Sequence, residues 1–231
     1  MPYILSPLIK ENMSGMWMEG APYSRSNLHS IDGSAPPVNY DTHHIKSHSL
    51  THIESPRHTQ KNGKAVDEYF HGDNFYGPCT VLRLKGDNYK KINDEISHWE
   101  INLDELRFAL KDSKPKKILI TVDNYIKNLD GFHDPNYVLT LSKEAAEYLI
   151  SIEGFNLYGT SWKSSDFNPG ALNRPIHNTL FRTAIILENL DLEFVPEGEY
   201  FLNAFPLRIE GASESPVTPV LFKYDEINNR F

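Results

Sequence analysis

Four side chains able to hold a metal ion or move a proton fall within one short segment: His48, His52, Glu54 and His58, at i, i+4, i+6 and i+10. Imidazole and carboxylate with no thiol suit Zn²⁺ or Mn²⁺ in a catalytic site better than a structural zinc cage. The chemistry such a site offers is metal-assisted hydrolysis, in which an acidified water attacks a polarised carbonyl. Histidine is dense around the segment: His29, His43, His44, His48, His52, His58 and His71 are seven of the chain's ten. The competing reading is a polar, solvated stretch whose histidines satisfy local hydrogen bonds.

The residues between the four candidates, Ser49, Thr51, Ile53 and Ser55 followed by Pro56, are poor helix formers, so the segment is expected to be extended. Extension places the four even-numbered groups on one face. A straight strand would hold the α-carbons of His48 and His52 about 13 Å apart, near the limit for two imidazoles sharing one ion. The backbone should therefore bend between them, and Pro56 should turn the chain beyond Glu54.

The elements that must position this segment are readable along the chain. Strands are expected at 3–9, 81–84, 118–122, 155–159, 184–187, 200–209 and 217–224. Asn102 can cap a helix over 103–111 with Glu105 completing a capping box. Ser142 can cap a second helix ended by Gly154, and Pro175 can open a short helix carrying His177. Residues 12–40 show no period and read as a long loop or arm; its Trp17, Met18 and Tyr23 need something to cover. Helices alternating with strands, then strands alone, indicate a mixed α/β fold. No linker or repeat interrupts it, so one domain over 1–231 is expected.

Composition removes several function classes. The chain has 231 residues, with 23 Lys+Arg against 31 Asp+Glu, a net charge of −8. An acidic balance argues against a nucleic-acid binder, which would normally show a basic face, and gives no support to a polybasic membrane contact. No apolar run is long enough to span a bilayer, and the N-terminus lacks the pattern of a signal peptide. Cys79 is the only cysteine and cannot form an internal disulfide. A cytoplasmic protein acting on a small molecule is the expectation. Cys79 reads as a core residue, His98 as packed or exposed, and Asp123 as a structural cap. His133 could line a pocket.

The segment resembles the signature His-x-Gly-Thr-His-x-Asp-x-Pro-x-His of the cyclase family of metal-dependent hydrolases, which includes bacterial kynurenine formamidase and isatin hydrolase. His48, Thr51, His52, Pro56 and His58 match it. Tyr3-Ile4-Leu5-Ser6-Pro7-Leu8, Pro175-Ile176-His177, Ile186-Leu187-Glu188-Asn189-Leu190 and Phe205-Pro206-Leu207-Arg208-Ile209-Glu210-Gly211 extend the likeness over nearly the whole chain. The resemblance implies a swivelling β/β/α architecture with flanking helices. It implies that His48, His52 and Glu54 bind a first metal, that Glu54, His177 and Glu188 bind a second, and that His58 is the acid–base residue. It places Trp17 near a substrate-contacting aromatic. One or two Zn or Mn ions per chain and a homodimer or higher homo-oligomer follow in the same way. The implied reaction is hydrolysis of an aryl formamide. Opening or closing of a cyclic amide or lactone is a second reading, and a metal-poor, non-catalytic binding protein a third. Leu50 in place of the signature glycine, Glu54 in place of aspartate and Ser161 in place of a frequent acidic residue are departures.

Overall fold

In the computed structural model, every residue is described except 18, 19, 34, 169 and 229–231. The strands are β1 (Tyr3–Ile4), β2 (Tyr23–His29), β3 (Tyr40–Ile45), β4 (His52–Glu54), β5 (Tyr76–Leu84), β6 (Lys90–Lys91) and β7 (Ser97–Ile101). After helix α1 (Leu103–Leu110) come β8 (Lys117–Val122), β9 (Tyr137–Leu141), helix α2 (Lys143–Ser151) and β10 (Leu157–Thr160). Helix α3 (Pro175–Leu180) then leads to β11 (Ile185–Glu188), β12 (Gly198–Asn203), β13 (Glu214–Pro216), β14 (Val220–Phe222) and the short α4 (Tyr224–Asn228). None of the described helices is long and apolar enough to cross a membrane.

Nine strands form the main sheet in the order β1-β14-β12-β5-β8-β10-β11-β4-β13. The inner strands β5, β8, β10 and β11 run parallel. The strands outside them join antiparallel. Parallel neighbours need crossover connections, and the helices supply that cover. The β-branched run 118–122 is buried along its whole length in β8. Its alternate side chains feed two cores: Ile118, Ile120 and Val122 pack with Leu106, Leu149 and Leu180 of the helices, and Leu119 packs on the opposite face with Leu157, Leu187 and Leu202. Both helix starts form as expected. Asn102 accepts from the Glu105 N–H while Glu105 accepts from the Asn102 N–H, both at 2.9 Å. Ser142 accepts from Ala145 N–H.

Several expectations need correction. The arm at 12–40 is not all loop: β2 and β3 pair antiparallel as a hairpin. Its consecutive polar residues, Ser24, Arg25, Ser26 and Asn27, are exposed, so no apolar period marks it. Met18 lies outside the described residues. The expected strand at 3–9 is short, and the one at 200–209 ends at Asn203, before Pro206 can interrupt the pairing. The strand expected at 217–224 is confined to β14, with α4 starting at Tyr224, and β13 precedes it as a separate, unforeseen strand. A separate three-stranded sheet of β6, β7 and β9 was not foreseen; its histidine and tryptophan residues gave no clear alternation.

Gly159 on β10 is required by close packing. A Cβ there would lie 2.4 Å from Leu119 Cδ2 and 3.0 Å from Leu190 Cδ1. Gly159→Ala is therefore expected to cost about 1–3 kcal/mol through overpacking, read as a lower denaturant midpoint with unchanged slope. An unchanged midpoint would mean the β8–β10 packing is looser than described.

Candidate metal centre

The signature segment is built as its residues dictate. Ser47–Ser49 make one 3₁₀ turn, which supplies the bend between His48 and His52. Leu50 follows in ordinary extended conformation at φ −123° and ψ 177°, so the missing glycine costs the backbone nothing. Its side chain is buried with Met13, Met16 and Phe132, and thereby anchors the N-terminal arm. β4 then carries His52 and Glu54 on one face, and Pro56 opens a second 3₁₀ turn that brings His58 back. Gly63 packs directly on that turn: a Cβ would sit 2.4 Å from the Pro56 carbonyl carbon.

Strand pairing delivers the remaining groups. Glu188 on β11 is the direct partner of His52 on β4, and directly opposed residues share a face. His177 arrives from the first turn of α3. The structure thus brings together all six residues expected at the site, and Glu54 is at their centre. Its Oε1 lies 3.2 Å from His48 Nδ1, 3.1 Å from His52 Nε2 and 3.5 Å from His58 Nε2. Its Oε2 lies 3.1 Å from His177 Nε2. His177 Nε2 is also 3.5 Å from Glu188 Oε1, and His52 Nε2 is 4.0 Å from Glu188 Oε2. His52, Glu54, His177 and Glu188 are fully or almost fully buried; His58 and His48 face the opening.

The tautomers show which atoms remain for a ligand. His52 Nδ1–H donates to Leu50 O at 2.8 Å, and His177 Nδ1–H donates to Asp166 Oδ2 at 2.6 Å. Both Nε2 lone pairs therefore point at carboxylate oxygens, and His52 Nε2 also lies 3.0 Å from His48 Nδ1. Such converging acceptors repel unless a proton or a cation lies between them. Two groups, His48–Glu54–His58 and His52–Glu54–Glu188, have ligand atoms within 4.8 Å of one another. This donor set fits a divalent cation, and the extra methylene of Glu54 over aspartate lets one carboxylate face both groups.

Asp166 was missed by sequence reasoning. It accepts from the His177 imidazole and the Ile176 N–H, and it pairs with Arg174 at 3.2 Å. A carboxylate behind a ligating histidine fixes its ring and raises its basicity. Its signal in sequence was only an acidic residue some ten positions before a histidine. Ser165, also unforeseen, donates to Glu188 from its N–H at 2.6 Å and its hydroxyl at 2.8 Å.

Trp17 reaches the site's edge. Its indole N–H donates to His48 O at 3.0 Å, and its ring lies edge-on to the His48 ring. Lys163 Nζ lies 4.5 Å from the Trp17 ring centroid. Other candidates stay apart. Asp123 pairs with Arg83, and Cys79 is a buried core thiol whose pKa burial pushes up. His98 bonds Thr140 and stacks on Phe167. His133 is buried against Ser161 at 2.8 Å, so the departure at Ser161 is absorbed by a neutral hydrogen-bonded pair.

The electrostatics divide the histidines. Burial, with the neighbouring His52, pushes His48 down to about 3, and burial also lowers His58. For His177, burial opposes protonation but the hydrogen bonds to Asp166 and Glu54 prevail and raise it to about 9. Burial and the nearby Glu54 charge raise Glu188 to about 7. Burial would also raise Glu54, but hydrogen bonds from His177 and His52 hold it well below the usual range. In metal-free protein, raised pKa values at His177 and Glu188 stabilise the fold at low pH. That contribution is lost as pH rises through about 7 and then about 9. The lowered His48 and His58 oppose this only up to about the ordinary histidine value of 6.5, where their unfolded rings lose the proton, and add little slope above about pH 7.5. Chelator-treated protein should therefore lose stability between pH 7 and 9.5, measured by denaturant midpoint, whereas a bound cation should remove that loss. Equal slopes with and without chelator would overturn this account.

The comparisons with known proteins agree with this geometry. The family model described as "Putative cyclase" matches residues 5–166. Kynurenine formamidase of Geobacillus thermodenitrificans is 30% identical over 211 residues, covering 90% of this chain and 91% of that protein. Kynurenine formamidase of Salinibacter ruber is 28% identical over 185 residues, covering 80% of each. Among solved structures, isatin hydrolase A from Ralstonia solanacearum superposes with a TM-score of 0.72 at 20% identity, covering 96% of this chain and 92% of that one. That likeness establishes a shared fold, while the sequence matches and the family model establish descent: the chain belongs to the cyclase family.

Proposed function

We propose that this protein is a metal-dependent amidohydrolase resembling kynurenine formamidase, which cleaves the C–N bond of an aryl formamide. The carrying observation is Glu54, a buried carboxylate faced by four imidazoles, one of them backed by Asp166. The assignment of substrate class draws on the two formamidases matched over most of their length. The whole chain, 1–231, acts as one catalytic domain on this reading.

His48, His52 and Glu54 would hold one divalent ion, Zn or Mn, and Glu54, His177 and Glu188 a second where two bind. When bound, the ion supplies Lewis acidity for the carbonyl and for water. His58 is the proton carrier. Its lowered pKa leaves the ring neutral near pH 7, its side chain is 16% exposed at the opening, and its Nε2 lies 3.5 Å from Glu54 Oε1, beside the groups that would hold the ion. Nε2 accepts a proton as water attacks the formyl carbon. It then donates that proton to the nitrogen as the C–N bond breaks, which releases formate and an aryl amine. Trp17, held against His48, offers an aromatic surface beside the reacting centre.

We further propose a homodimer. Ile4, Leu8, Ile9, Phe205 and Leu207 are exposed together along one groove. The β2–β3 hairpin, a two-stranded sheet on its own with Leu28 and Tyr40 exposed, is marginal without a covering surface. A second copy satisfies both. The buried, unpaired Cys79 suits a reducing compartment.

Purified protein is expected to carry one or two ions per chain by mass spectrometry, lost in His52→Ala, and to release formate from N-formyl aryl amines. His58→Ala should retain metal and lose roughly 100-fold or more in turnover; full turnover would remove His58 from the mechanism. A single product heavier by one water from a cyclic amide, with no formate, would replace the formamidase reading by a ring-opening one. Light scattering should give twice the 26.5 kDa chain mass; a species of one chain mass would refute the dimer.

A further inference from the structure

Asn189 follows Glu188 directly and is fully buried. It occupies the left-handed region at φ +59°, a conformation that glycine adopts freely and other residues at a cost. All its backbone and amide donors are committed. Its N–H donates to Trp162 O at 3.1 Å. Its Nδ2 donates to His48 O at 3.1 Å and to Leu50 O at 3.0 Å. Its own carbonyl accepts from Thr51 Oγ1 at 2.7 Å. One residue on β11's end thus clasps three residues of the signature segment, at the bend that brings His48 towards His52.

Both carbonyls it holds have second donors that matter to the site. Leu50 O also accepts from His52 Nδ1, the bond that leaves His52 Nε2 facing Glu54. His48 O also accepts from the Trp17 indole. The amide orientation follows from these contacts, because turning Oδ1 inward would set it against two carbonyl oxygens. Oδ1 itself has no hydrogen-bond partner, so the side chain is retained for its two donors.

We infer that Asn189 is a positioning residue for the metal centre: its carboxamide fixes the bend across His48–Leu50 and with it the convergence of His48 Nδ1 and His52 Nε2. This rests on the metal-site reading. A residue kept only for its backbone conformation would be replaced by glycine without loss. A residue kept for its amide would not.

The test is zinc affinity of the metal-free full-length protein, by competition with a chromophoric chelator, for wild type, Asn189→Gly and Asn189→Asp. Leu106→Ala on α1, a helix that packs on α2 and β5, serves as a control for lost stability, and near-ultraviolet circular dichroism checks that each variant is folded. Asn189→Gly is expected to bind zinc roughly 10–100-fold more weakly, the usual loss for a partner behind the ligands. Asn189→Asp should lose at least as much, because a carboxylate cannot donate to the two carbonyls. Leu106→Ala should keep wild-type affinity. Wild-type affinity in Asn189→Gly would overturn the inference and leave the metal centre intact. An affinity loss in Leu106→Ala equal to that in Asn189→Gly would also overturn it, because the effect would then be general loosening. No zinc binding by wild type would instead overturn the metal reading beneath it.

Discussion

Glu54 is a carboxylate removed from water in the middle of a protein, and an unpaired charge there would be prohibitive. The surrounding structure is arranged to make it tolerable. Three imidazoles face one oxygen and a fourth faces the other. Two of those rings are turned by acceptors placed behind them, Leu50 O for His52 and Asp166 for His177. The same arrangement that compensates the carboxylate also points nitrogen lone pairs at a common volume, so stabilising the charge and preparing a cation site are one structural solution.

That solution demands a rigid frame, because the ligands come from three separated stretches of chain. β4 lies antiparallel against β11, which fixes Glu188 opposite His52 in register. A one-residue slip would turn Glu188 to the other face. β11 in turn continues the parallel series from β5 through β8 and β10, whose side chains fill cores on both faces. The helices therefore serve the site indirectly: by burying one face of the parallel strands they hold the register on which the pairing of Glu188 with His52 depends. α3 contributes directly, since Pro175 starts it where His177 meets Glu54.

Much of this was legible in the sequence, and the reasons are local. The extended His52–Glu54 and the turn at Pro56 follow from short-range preferences of β-branched residues and proline, and the bend after His48 from the reach of two imidazoles towards one ion. The helix caps at Asn102 and Ser142 are likewise contained within four residues. What escaped notice depends on contacts distant in sequence. Asp166 acts through His177 from an irregular loop, and nothing about its neighbours distinguishes it from a solvated aspartate. The β2–β3 hairpin carries polar residues on both faces, so it lacks the alternation that reveals a half-buried strand. The strand expected over 200–209 failed at Pro206, where a ring without an N–H met an otherwise plausible apolar run.

The departures from the family signature acquire physical meaning once the surroundings are known. At Leu50 the backbone is ordinary, so glycine's freedom is not needed there. The side chain instead joins Met13, Met16 and Phe132 and secures the segment that carries Trp17. The left-handed residue near the site is Asn189, on the strand opposite, and it returns two donors to the bend. At Glu54 the longer side chain sits centrally among rings that have room for it. The two changes are thus mutually consistent: a bulkier segment at 50 is held from outside by the arm and from inside by the Asn189 amide, while the carboxylate extends to where the histidines converge. Asp166, Ser165 and Asn189 are each bonded to a ligand candidate or to the backbone that carries one, an arrangement that orients a cation site and that a merely solvated cluster of histidines would not require.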